Sequence, residues 1–204
     1  VSSSPSSASS ASSASSASSA SSASSPPTSS APCIRPAALA DLAAVADIYA
    51  HYVTDTVVTF DQTPPSADDW RRRFEELSGR GLPFLVAELG TEIAGYAYAG
   101  PWRPKPAYRY TVEDSVYLAP DRTGRGLGSA LLARLLRECG PAGVQQMVAV
   151  IADTGSDASA ALHRRHGFTP AGRLTAVGRK HGRWVDTVLM QYSFEGTQED
   201  VHDR

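Results

Sequence analysis

Cysteine is scarce in this sequence: Cys33 and Cys139 are the only two among 204 residues, too few for a disulfide framework or a cysteine-built zinc site. No stretch approaches the ~18 consecutive apolar residues that span a bilayer. The opening residues have neither the basic n-region nor the apolar h-region of a secretory signal. Charge of one sign is missing as well: 19 Lys and Arg stand against 21 Asp and Glu, for a formal net charge of −2. Without a basic field, nucleic acid and anionic membrane surfaces are not expected partners. A small-molecule partner and a reducing cytoplasm are.

Residues 1–32 lack aromatic and charged side chains altogether, and after Val1 they lack large aliphatic ones. A Ser-Ser-Ala repeat of this kind cannot bury enough apolar surface to offset chain entropy, so a disordered tail is expected. The polar "EGTQEDVHDR" at 195–204 is expected to be flexible. What remains, 33–194, has the size of one ordinary core, and one domain is expected there.

Within that stretch the apolar periodicity changes repeatedly. "CIRPA" reads as a short strand. Behind it Leu42, Val45, Ile48, Tyr49 and Tyr52 recur at helical spacing, with Asp41 as the expected cap. Ser66 with Asp69 three residues on opens a second helix that places Trp70, Phe74 and Leu77 on one face. "PFLVAEL" and "EIAGYAYAG" predict a hairpin around "GTE", and "TVEDSVYLA" predicts a strand bounded by Pro120. Leu127, Leu131, Leu132, Leu135 and Leu136 form the stripe of an amphipathic helix that stops at Gly140-Pro141. "VQQMVAVI" is a buried-type strand, and "SDASAALHRRHGF" a short helix ending at Gly167. "LTAVGRKHGRWVDTVLMQYSF" reads as two strands around Gly182. The expected order is β-α-α-β-β-β-α-β-α-β-β.

The stretch "DRTGRGLGSALL" at 121–132 raises the functional question. A glycine-rich turn that opens a helix presents unpaired backbone N–H groups, at the positive end of the helix dipole, to an anion. A Walker A loop is excluded because no Lys follows the last glycine. The dinucleotide fingerprint fits poorly, since Gly124, Gly126 and Gly128 alternate with single residues and lie past the middle of the chain. Glycines that only turn the chain and cap a helix are the plain alternative.

A strand, "TGRGLG", an amphipathic helix, a buried strand and a short helix ending "LHRRHGF" together resemble the acetyl-CoA-binding core of the GNAT N-acetyltransferases. "TVVTFDQTPP", "AYAGPWRPKPAYRYTVEDSVYL" and "VGRKHGRWVDTVLMQ" are similar to the phosphinothricin and methionine-sulfoximine N-acetyltransferase subfamily, and the resemblance spans 34–194. It implies an α/β fold of the GNAT type: a central mixed, mostly antiparallel, splayed sheet flanked by about four helices. It also implies a homodimer, acetyl-CoA as co-substrate and no metal. Carried onto these positions, it gives Gly124, Arg125, Gly126, Leu127, Gly128 and Ser129 to the coenzyme pyrophosphate, and Ser156 to the pantetheine. Val116, Tyr117 and Leu118 would lie along a strand that splays at a bulge and leaves amides free for the acetyl carbonyl. Two positions depart from the pattern. Thr123 stands where the family loop has Gln or Arg, with Arg122 beside it as a substitute, and Ser156 stands where Asn is common.

Acetyl transfer to an amine requires a base, because the acceptor is mostly an ammonium near pH 7. Glu113 is the expected base, and burial on its strand should raise its pKa; an exposed residue paired with arginine is the alternative. His163 stands where many GNAT enzymes carry a Tyr that protonates the leaving thiolate, and it can serve as acid or base or simply cap a helix end. Tyr117 and His166 are reserve acids. For the acceptor, Phe60, Arg103, Pro104, Lys105 and Tyr108 are expected contacts, with Trp102 as further apolar wall. Two cations there suit a carboxylate, phosphinate or sulfoximine. Glu113, Asp114 and Ser115 border the same site. His181 lacks further ligands at useful spacing, so a structural hairpin is expected rather than a metal. Neither cysteine falls on the acetyl path, and Ser115 has no adjacent base, so direct attack in a ternary complex is expected. The resulting reading is acetylation of the α-amino group of a small amino-acid-like substrate. Its rivals are a GNAT enzyme for another amine, such as a polyamine or a peptide N-terminus, and a non-catalytic acyl-CoA sensor.

Overall fold

The computed structural model describes residues 31–194. The stretch 195–204 and nearly all of 1–32 lie outside the described residues. The elements run β1 (Cys33–Pro36), α1 (Leu42–Asp55), α2 (Ala67–Gly79), β2 (Phe84–Leu89), β3 (Glu92–Pro101) and β4 (Thr111–Leu118). They continue with α3 (Leu127–Cys139), β5 (Gln146–Ala152), α4 (Ala158–Arg165), β6 (Thr169–Lys180) and β7 (Arg183–Ser193). Single 3-10 turns precede α1, β4 and the glycine loop. No helix of the described chain is long and apolar enough to cross a membrane.

All strands join one seven-stranded sheet in the order β1-β2-β3-β4-β5-β7-β6. Every neighbouring pair is antiparallel except β4 and β5, whose parallel pairing needs the crossover that α3 provides. Helices cover both faces. Val45, Ile48, Tyr49 and Val53 of α1 and Trp70 and Leu77 of α2 pack on one side with Phe84, Val86 and Tyr96. Leu131, Leu132 and Leu135 of α3 pack on the other with Leu85, Ala87, Ala97 and Met147. Because successive strand residues face opposite ways, "FLVA" of β2 can be apolar throughout and still bury every side chain.

The sequence patterns and the structure agree closely at α2. Ser66 Oγ accepts the Asp69 N–H at 3.2 Å, and Asp69 Oδ2 accepts the Ser66 N–H at 2.8 Å, closing the capping box. Asp41 differs. Its carboxylate accepts the Ala38 N–H at 2.7 Å and two bonds from the Arg35 guanidinium at 2.7 and 2.9 Å, so it closes the 3-10 turn and gives no side-chain cap to α1. The charged fork from β1 and the Ala38 N–H together occupy both carboxylate oxygens.

β6 also departs from expectation, starting at Thr169 rather than at Leu174. Pro170 and Gly172 argue against a strand, but β6 lies at the edge of the sheet, where a missing donor is harmless. Its register slips twice against β7, and at the second slip Ala176 adopts φ 50 with its N–H on Asp186 Oδ1 at 2.7 Å.

The central irregularity lies between β4 and β5, which pair only from Thr111 to Glu113 against Gln146 to Val148. Beyond that, β4 stays with β3 up to Leu118 and β5 stays with β7 up to Ala152, so the sheet parts along the line between them. The expected bulge is not there: the β3–β4 register is continuous, and the slip nearby falls between β2 and β3 at Ala87 and Glu88. Gly95 sits against the far end of β4, where a Cβ would lie 2.5 Å from Leu118 Cδ2 and 2.8 Å from the Tyr117 carbonyl oxygen. Gly95→Ala is therefore expected to cost about 1–3 kcal/mol by overpacking, read as a lower urea midpoint at unchanged m-value.

Candidate active site

Where β4 and β5 part, a cavity of about 580 Å³ opens through the sheet. Glu113 to Leu118 of β4 form one wall and Ala149 to Ala152 of β5 the other. Gly124, Gly126, Gly128 and Ser129 lie toward the start of α3, and Ser159, Leu162 and His163 toward α4. The volume is in the range of a small-ligand site. From Asp114 onward the β5-facing edge of β4 has no ladder partner, which frees backbone groups inside a largely apolar slot.

The glycine loop is built to expose amides. Gly124 and Gly126 have φ of 73 and 77, a region that strains side chains with a Cβ. Gly126 is the N-cap of α3, its carbonyl accepts the Ala130 N–H at 3.0 Å, and no side chain caps the helix. The first-turn N–H groups thus have no side-chain cap. Other expected contacts are placed differently. Leu127 is buried in the core, and Arg125 is exposed and does not line the cavity. Arg122 does not replace the missing family residue, because Glu92 at 2.9 Å and Asp121 at 3.1 Å hold it outside the lining, whereas Thr123 itself lines the cavity. Ser129 Oγ is already bonded to His166 Nε2 at 2.7 Å. Ser156 lines the cavity but is not the N-cap of α4; that position is Asp157, and Ser156 Oγ accepts the Ala158 N–H at 3.3 Å.

Strand alternation separates the two adjacent carboxylates of β4. Tyr117 packs with the α1/α2 core, which sets Glu113 and Ser115 toward that face; Val116 and Leu118 pack with the α3/α4 core, which sets Asp114 toward the other. The Glu113 carboxyl is pushed up to about 7 by burial first and by the Asp114 charge second, with Arg103 pulling the other way. Asp114 was expected beside the acceptor. Instead its Oδ2 meets His163 Nε2 at 3.0 Å, with both side chains buried, and its Oδ1 has no hydrogen-bond partner among the described residues.

His163 has both ring nitrogens engaged. Nδ1 donates to the Ser159 carbonyl at 2.7 Å, which fixes a proton there, and Nε2 faces the Asp114 carboxylate. Burial alone would lower its pKa, but the Asp114 bond and charge, with the Ser159 bond, outweigh it and raise the value. The pair ties α4 to β4 across the parting. Tyr117 keeps its phenolic proton, since burial raises its pKa well above the usual range, while burial and the nearby His163 and Arg165 charges lower that of His166.

The expected acceptor contacts mostly stand outside the lining. Phe60 packs against Gly178 of β6, so closely that a Cβ there would collide with its ring. Arg103 lies over the Trp102 ring at 4.7 Å, though its charge reaches Glu113. Pro104, Lys105 and Tyr108 are exposed and line no part of the cavity. In their place the structure brings in Tyr52, whose hydroxyl donates to the Leu118 carbonyl at 2.6 Å, together with Val58 and Arg165. Tyr52 was legible only as one position of a helical stripe. Among the described residues no group of three His, Cys, Asp or Glu side chains could hold a metal.

A model of the Acetyltransferase (GNAT) family matches residues 45–168. The chain belongs to this family. It is 46% identical over 151 residues to phosphinothricin N-acetyltransferase of Alcaligenes faecalis, covering 74% of this chain and 77% of that protein. To an L-methionine sulfoximine/L-methionine sulfone acetyltransferase of Pseudomonas aeruginosa it is 40% identical over 161 residues, 78% of this chain and 93% of that one. A GNAT superfamily phosphinothricin acetyltransferase from Sinorhizobium meliloti, solved in complex with acetyl-CoA, superposes with a TM-score of 0.75 at 40% identity, covering 83% and 97% of the two chains. The sheet parted between two helix layers is the GNAT fold, and N-acetyltransferase is the enzyme class that these matches establish.

Asp114→Asn would leave the His163 ring facing a neutral amide in a buried site, so a loss of about 3–5 kcal/mol is expected, the cost of breaking a buried pair. The raised His163 pKa contributes stability that is present below the unfolded histidine value and lost as pH rises through the folded one. Urea titrations should therefore show a larger deficit at pH 6 than at pH 9.

Proposed function

We propose that this GNAT enzyme acetylates the α-amino group of a small amino-acid-like acceptor, of the phosphinothricin or methionine sulfoximine and sulfone type, by direct attack in a ternary complex. Acetyl-CoA supplies an activated acetyl thioester, and the uncapped start of α3 with the glycine loop fits its diphosphate. The observation that carries the reading is Glu113: a carboxyl on the cavity wall, held near neutrality, beside a strand edge without a ladder partner. Such a carboxylate can take the acceptor's proton, directly or through water. The unpaired backbone of β4 can donate to a carbonyl oxygen that gains charge. The cysteines support direct attack. Burial pushes the Cys139 thiol up to about 12, and Cys33 lies on β1 at the far edge of the sheet. The relatives' substrates support the acceptor class.

The resemblance to a homodimeric family is supported by Val177 and Trp184, large apolar side chains left exposed on the β6–β7 hairpin. Sedimentation at twice the chain mass is expected, and a monomer at micromolar concentration would refute it.

Incubation with acetyl-CoA and a panel of amines, followed by free thiol, tests the activity. Turnover is expected with phosphinothricin or methionine sulfoximine and not with polyamines; acetyl-CoA binding without any turnover would instead support a sensor. Activity should rise with pH through about 7, as Glu113 loses its proton, and then level. Glu113→Gln is expected to lower kcat/KM by about 10²–10⁴ near neutrality, with partial recovery at high pH where the free amine is abundant. A wild-type pH profile in that variant would remove Glu113 as the base. The raised pKa also destabilises the ionised fold, so wild-type stability should fall as pH rises from the ordinary glutamate range to about 7, and the variant should lack this slope.

A further inference from the structure

The last turn of α1 has no basic side chain of its own, and its C-cap Thr56 is extended rather than left-handed. Helix-end carbonyls therefore need outside donors. The Thr56 hydroxyl donates to the Tyr52 carbonyl at 2.8 Å, and the β6–β7 turn supplies further donors to that carbonyl and to those of the loop that follows. Lys180, 4% exposed, donates to the Thr59 carbonyl at 2.8 Å and to the Tyr52 carbonyl at 3.4 Å. Next to it His181 Nε2 donates to the Thr56 carbonyl at 3.2 Å. Among the described residues Lys180 has no carboxylate within ion-pair distance; burial lowers its pKa and the more distant Asp61 charge opposes that. A buried ammonium spent wholly on backbone carbonyls is costly unless the segment it holds must be held.

On the acetyl-transfer reading that segment forms the acceptor wall. Tyr52 and Val58 line the cavity, and the Tyr52 hydroxyl reaches the Leu118 carbonyl at 2.6 Å, at the end of the parted strand. From beneath, Thr59 Oγ1 meets the Tyr49 hydroxyl at 2.6 Å, and the Tyr49 hydroxyl lies 2.7 Å from Asp61 Oδ2. We propose that Lys180 is a positioning residue for the acceptor: through the Thr59 and Tyr52 carbonyls it fixes the C-terminal end of α1 and the following loop, and so the shape of the amine-binding side of the cavity. Neither carbonyl belongs to the glycine loop or to α3, so the diphosphate end of the donor site is independent of it.

The inference rests on the acetyl-transfer reading, and its test separates the two. Lys180→Met in the full chain keeps the volume and removes the donors. With methionine sulfoximine as acceptor, its KM is expected to rise about tenfold or more while the KM for acetyl-CoA stays within about twofold, the split expected when one substrate's positioning is lost. Amide hydrogen exchange should accelerate at 56–61 and stay unchanged at 123–129, a readout that needs no turnover and so stands even if no amine proves to be a substrate. Lys180→Arg, which keeps cation and donors, should restore most of the protection. If Lys180→Met yields no folded protein, His181→Ala carries the same test, with about a twofold rise in acceptor KM. Wild-type exchange at 56–61 with an unchanged acceptor KM, or equal rises in both KM values, would overturn the proposal.

Discussion

The parallel ladder between β4 and β5 ends after Glu113, and the chemistry of the molecule follows from that ending. Each strand keeps its other neighbour to the end, so the sheet stays intact on both sides while a slot opens through its middle. A buried backbone edge without a partner is unfavourable in an ordinary sheet. Here it becomes a line of polar groups inside an apolar cavity, available to a ligand that can satisfy them.

The parting must also be held at a fixed width, and long-range polar contacts do this from both faces. On the α3/α4 side the buried Asp114–His163 pair joins β4 to α4. On the α1/α2 side Tyr52 joins α1 to Leu118, and Lys180 joins α1 to the β6–β7 turn. The alternation of β4 puts Glu113 and Asp114 to different uses although they are neighbours in sequence. One carboxyl is left unpaired and near neutrality in the cavity, and the other is committed to an imidazole. The charge on the second helps raise the pKa of the first, so the buried pair and the cavity carboxyl are electrostatically coupled across a single peptide unit.

Much of the fold was legible because it is local. The capping box at Ser66 and Asp69, the unbroken apolar run of β2 and the leucine stripe of α3 each report a periodicity or a pair of neighbours in the chain. The glycine loop was legible for the same reason: positive φ at alternate positions before an amphipathic helix is a local signature. Where local signals competed with tertiary partners, the partners prevailed. Asp41 left α1 for Arg35, Arg122 left the loop for Glu92, and β6 ran through Pro170 because its outer edge faces no strand.

Residue type and spacing by themselves determined the order of strands and helices, the glycine loop that opens α3 and the placing of Glu113 on the strand before it. Only the tertiary structure decided that Asp114 faces His163, 49 residues away, that Lys180 serves carbonyls 121 and 128 residues away, and that Arg103, Lys105 and Tyr108 stand outside the cavity that Tyr52 and Val58 enter. The physical reason is range. Helix and turn signals arise from neighbours within a few residues, whereas the partner of a buried polar group is chosen by which surfaces the packed layers bring together.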